Sequence, residues 1–190
     1  MQNIKKVVFV GDIHADDCTP RSRKDNYLNA ILEKLKEILF FSHDNKVDAV
    51  VLLGDIFDKI EPSGKCRNII LRALQGSLWN KKWQFPVYIV EGNHDNKNSP
   101  QNLEYSAVGT LIHTNIIQYV NDIPELSIGI GNYYVGIESD LKNGKFSDKN
   151  CLIFACHANI VDKPMIFEHV LFKDIGKKPE KKRVMPIFFP

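Results

Sequence analysis

The sequence predicts an α/β fold in which two sheets pack between helices. Three observations predict it: apolar, β-branched runs that each end in a polar cluster, amphipathic stretches between those runs, and short strand-like segments in the second half. The runs are KKVVFV before GDIHADD, VDAVVLL before GDIFDKIEPSG, and FPVYIV before EGNHDN. Runs so apolar, closed by glycine and acidic residues, read as strands covered on both faces.

Each intervening stretch reads as a helix. From Asp25 to Phe41, Tyr27, Leu28, Ile31, Leu32, Leu35, Ile38 and Leu39 recur at three- and four-residue steps, with Asp25 expected as the cap. A second helix is expected from Lys65 to about Trp79, turning Ile69, Ile70, Leu74 and Leu78 inward. Strand, helix, strand, helix, strand is the order of a mainly parallel sheet, whose sites form at the carboxyl ends of its strands. Beyond Pro100, a short helix around Leu103 to Leu111 precedes IIQYV, LSIGI, GNYYVGIE and CLIFACH, which read as a meander forming a second sheet. PMIFEHVLFKDI reads as a short helix, and GKKPEKKRVMPIFFP as a basic run with an apolar end.

Composition narrows the class. At 190 residues, 44% hydrophobic and 25% charged, the chain is an ordinary globular protein of one domain. A net charge of +2 is too balanced to imply nucleic acid by itself. Cys18, Cys66, Cys151 and Cys156 form no CxxC pair, and MQNIKKVVFVG turns polar too soon for a secretory leader, so a cytoplasmic setting is expected. No apolar run reaches the roughly 20 residues that span a bilayer, so no membrane partner is expected.

The polar clusters carry the chemistry. One sheet edge would gather Asp12, His14, Asp55, Asp58, Asn93, His94, Asp95 and His157. Turn chemistry accounts for glycine and asparagine at strand ends but not for the histidines. Carboxylate, imidazole and amide oxygen suit divalent Mn, Fe or Zn, and the lack of thiolates argues against a structural zinc. A carboxylate shared by two ions is the arrangement that activates water for attack on phosphorus. Asp16 and Asp17 read as solvated loop carboxylates, His43 and His113 as structural or exposed, and the Trp79 and Trp83 pair as packing for the second helix.

D-x-H at 12–14, G-D-x-x-D at 54–58, G-N-H-D at 92–95 and the later His157 resemble the calcineurin-like metallophosphoesterase family over roughly residues 4–160. Within it, the chain is most similar to SbcD-type DNA nucleases. The resemblance implies a four-layer α/β/β/α sandwich with two mixed sheets flanked by helices, and two divalent ions, manganese first. Asp12, His14 and Asp55 would hold one ion, and Asp55, Asn93 and His157 the other. His94 would protonate the leaving oxygen or stabilise the transition state, Asp95 would orient its imidazole, and Asp58 would support the ligands. The family's later G-H-x-H loop is missing, and His169 is the only histidine after His157. The expected organisation is therefore a shortened domain over 1–176 with a tail at 177–190.

The expected activity is hydrolysis of a phosphodiester or phosphomonoester, with DNA as one substrate and a partner chain or second copy completing the ligands. Arg21, Arg23 and Lys24 are placed to meet a substrate phosphate, and KKPEKKR at 177–183 reads as a solvated tail. The competing reading is a scaffold with a metal-poor site that binds a protein partner. A retained His94 and Asp95 argue against it.

Overall fold

The computed structural model describes residues 6–95, 100–134, 136–145, 151–158, 160–161, 170–171 and 185–186. The first sheet has the order β1 (Val7–Val10), β2 (Ala49–Leu52), β3 (Val87–Ile89) and β4 (Gln118–Tyr119), parallel at every pairing. Helices α1 (Tyr27–Asp44), α2 (Gly64–Leu74) and α3 (Ala107–His113) connect these strands. Because strand side chains alternate between faces, Val50 and Leu52 join the core beneath the helices while Val51 and Leu53 join a second core beneath the other sheet.

The second sheet runs β10 (Met185–Pro186), β7 (Ile153–Cys156), β6 (Ile128–Gly131) and β5 (Asp122–Ile123). It is mixed: β5 and β6 are antiparallel, while β6, β7 and β10 are parallel. Its far face, through Phe154 and Cys156, packs on Ile137 and Leu141 of α4 (Ile137–Lys142). Helices, sheet, sheet and helix thus form four layers, the expected fold. A short parallel pair, β8 (Ile160–Val161) with β9 (Val170–Leu171), stands apart.

Several local expectations are corrected. The cap of α1 is Asn26, whose side chain accepts from Asn29 N at 3.1 Å, because the Asp25 carboxylate is taken by Arg23. The second helix stops at Leu74; Gly76, at φ 80°, turns the chain into a separate 3-10 turn at Ser77–Trp79. Likewise the stretch after Pro100 is a 3-10 segment, Pro100–Tyr105, followed by α3. IIQYV yields β4 of the first sheet, not a strand of the second. GNYYVGIE is not a strand: Gly136, at φ 99°, starts α4, the crossover that lets β6 and β7 run parallel. Val170–Leu171 is extended where PMIFEHVLFKDI had suggested a helix, and the rest of that stretch lies outside the described residues. The run 177–183 also lies outside them, while Met185–Pro186 pairs with Ile153–Phe154.

Candidate metal centre

The loops after β1, β2 and β3 are stitched to one another by backbone hydrogen bonds. Ile13 and His14 both donate to the Asp55 carbonyl, at 3.2 and 2.8 Å, and Ala15 donates to Ile56 at 2.9 Å. His14 and Asp55 take left-handed backbone, at φ 46° and 47°, which side-chain-bearing residues rarely adopt and which clusters at functional sites. Asp12 and His14 therefore converge through a turn at His14, not along an extended strand as the spacing had suggested. Gly92 is demanded by close approach: a Cβ there would press into the Asp55 carboxylate and lie 2.5 Å from Asp55 N.

Asp95 completes the stitching. Buried to 1% exposure, its carboxylate accepts from Asp55 N at 3.0 Å, Ile56 N at 3.2 Å and Gly92 N at 2.9 Å. Burial pushes this carboxyl up to about 7, while the backbone donors pull it down. The partner of the His94 imidazole is not Asp95 but the Asp58 carbonyl, 2.6 Å from Nδ1. Asp58 had been expected to act by its side chain; its backbone reaches His94 first.

The polar atoms meet around Asp55, itself 3% exposed. One oxygen accepts from His94 N at 2.9 Å, and the other lies 3.6 Å from His14 Nε2 and 3.5 Å from His157 Nε2. Asp12 stands between the same two rings, 3.9 Å from His14 Nε2 and 3.8 Å from His157 Nδ1. Asn93 Oδ1 is 2.9 Å from His157 Nε2. Donor atoms of His14, Asp55 and His94 lie within 4.8 Å of one another, as do those of Asp12, Asp55 and His157. The expected ligand-bearing residues and the expected acid are thus in one cluster.

Tautomers follow from the acceptors. A carbonyl accepts only, so His157 Nδ1, 3.0 Å from Leu53 O, and His94 Nδ1, on Asp58 O, each carry the proton. Both rings then present Nε2 as a bare lone pair. This is how metal-binding histidines are oriented, with the second nitrogen donating to a carbonyl or carboxylate. His14 follows the pattern less tightly, its Nδ1 lying 3.4 Å from Asp58 Oδ1. A buried carboxylate flanked by imidazole nitrogens, with a further carboxylate and an amide oxygen, fits a pair of divalent first-row ions.

Some neighbours were misread. Arg23 does not reach toward the centre: it forks onto Asp25 at 2.9 and 2.6 Å and stacks over Tyr27. Asp16 is not solvated but 5% exposed and paired with Lys59 at 2.6 Å. Burial raises its carboxyl, yet Lys59 and the Cys18 N–H outweigh that and hold it below the usual range. Glu91 went unnoticed in the sequence. It is 1% exposed, takes the Tyr119 hydroxyl at 2.8 Å, and its carbonyl accepts from Tyr133 N at 3.1 Å. It therefore ties the third loop to the second sheet, where the Tyr133 ring meets His157 edge-on at 6.4 Å. An acid directly after an apolar strand was the available signal.

Ninety residues, 47% of the chain, are 31% identical to SbcD, the smaller-lettered half of the nuclease SbcCD, from Bacillus subtilis, and 28% identical to its namesake from Rhodobacter capsulatus. These matches span only 20% and 21% of those proteins. The wider comparison covers almost everything described above, including the three strand-end loops and His157. Residues 5–185 match the profile of the calcineurin-like phosphoesterases, and the chain belongs to that family.

Proposed function

We propose that the chain is a metal-dependent phosphoesterase acting on a phosphodiester, with nucleic acid, DNA first, as the substrate class. The observation that carries this reading is the buried Asp55 carboxylate set between the Nε2 atoms of His14 and His157. Asp12, His14 and Asp55 would hold one divalent ion and Asp55, Asn93 and His157 the second, with manganese the first choice. When bound, such a pair of ions lowers the pKa of water and neutralises charge on the phosphate. The protein supplies the rest.

His94 is the acid for the leaving oxygen. Its Nδ1–H stays on the Asp58 carbonyl, so an imidazolium formed there gives up the Nε2 proton and returns to the same neutral tautomer. Asp95 acts through the backbone, holding the second and third loops in register. Because the named relatives form part of SbcCD, a partner chain that completes the site and the substrate channel belongs to this reading. Free cysteines fit the reducing cytoplasm.

The test is metal content together with Mn-dependent hydrolysis of bis-p-nitrophenyl phosphate, for the chain and for His94→Ala. Turnover that needs Mn and collapses in the variant is the expected result. Absence of both metal and turnover would remove the enzyme reading, and metal without turnover would favour a scaffold.

A further inference from the structure

His14 holds its left-handed backbone, at φ 46°, through hydrogen bonds on both of its peptide groups. Its N–H donates to the Asp55 carbonyl at 2.8 Å. Its own carbonyl accepts from the Tyr27 hydroxyl at 3.0 Å, across 13 residues of chain. Nothing in the strand-end motifs announces Tyr27. It is the first residue of α1, placed there by the Asn26 cap. Its ring is covered by the Arg23 guanidinium, 5.1 Å from the centroid, and Arg23 is in turn forked onto Asp25. Helix cap, ion pair and stacked ring together fix where the hydroxyl points.

We infer that Tyr27 is a positioning residue for His14: its hydroxyl, clamped by Arg23 and Asp25, holds the left-handed turn that aims His14 Nε2 at Asp55. The inference rests on the metal-binding reading of the centre. Without the hydroxyl, the His14 backbone is free to relax toward the ordinary right-handed or extended regions, because left-handed backbone is disfavoured for a residue with a Cβ. Rotation about that backbone moves the imidazole away from Asp55, whose Oδ2 is now 3.6 Å from Nε2. Helix packing alone would require the ring of Tyr27 but not its oxygen.

Tyr27→Phe separates the two, since it keeps the ring and its cover and removes one hydrogen bond. The expected result is a roughly 10–100-fold loss of Mn affinity by calorimetry, the range seen when the groups that orient metal ligands are altered. The carbon chemical shifts of His14 should also leave their left-handed values. Leu35→Ala, in the helix core at 2% exposure, is the control: it lowers the melting temperature while leaving Mn affinity within about twofold. Wild-type affinity and unchanged His14 shifts in Tyr27→Phe would overturn the inference. Should the wild type bind no Mn, the metal reading falls, and the His14 shifts alone decide whether Tyr27 holds the turn.

Discussion

At the residue scale, Asp55 does most to join the centre. Its carboxylate faces both His14 and His157 while its carbonyl takes two N–H groups from the first loop. Asp55→Asn keeps the shape but removes the charge that two cations would share. We expect it to lose both Mn equivalents, where His157→Ala loses one, and to slow hydrolysis by about 10²–10³-fold or more, the effect of removing one electrostatic stabiliser. Calorimetric stoichiometry with steady-state kinetics reads both. Gly92→Ala tests the other constraint. The new methyl would sit 2.5 Å from Asp55 N, so either the loop moves or Asp55 does. Destabilisation by about 1–3 kcal/mol in urea unfolding is expected, as for overpacking a tight site.

At the element scale, the start of α2 is bound to the first loop. Ser63 caps the helix, accepting from Cys66 N at 3.1 Å, and its hydroxyl donates to Asp17 at 2.6 Å. Ser63→Ala should cost about 1 kcal/mol of stability by urea titration, the usual worth of a cap; no loss would show the cap to be redundant. The strands and the three polar loops were legible in the sequence because an apolar run followed by Gly-Asp or Gly-Asn has a clear boundary. What was not legible depended on tertiary partners. Asp25 is as good a cap as Asn26 until Arg23 claims it, and Tyr133–Tyr134 look like strand until Gly136 starts a helix. α4 has six residues, too few to show a helical stripe. The oriented tautomers of His94 and His157 rest on the carbonyls of Asp58 and Leu53, and backbone acceptors leave no trace in residue identity.

At the scale of the whole molecule, the centre lies across the seam between the sheets. Asp12, His14, Asp55 and Asn93 follow strands of the first sheet, and His157 follows β7 of the second, with its Nδ1 on the carbonyl of Leu53. The seam is packed by Val51, Leu53 and Val90 against Ile128, Ile130 and Ala155, so the layers should unfold together. Two thiols report on this independently. Cys66 is buried under the helices of the first layer and Cys156 against α4 in the last, and burial pushes them up to about 11 and about 12. Both are nearly all thiol at pH 8 and shielded, whereas Cys18 is exposed. Iodoacetamide should therefore label Cys18 in the native protein and reach Cys66 and Cys156 only on unfolding. Along a urea series, mass spectrometry should give those two sites the same midpoint. Saturating Mn should raise both midpoints equally, since a ligand at about 100 times its Kd adds about 2.7 kcal/mol to whatever unit must stay folded to hold it. A lower midpoint for Cys156, or an Mn shift confined to Cys66, would mean that the second sheet opens separately and that His157 contributes little to holding the metal.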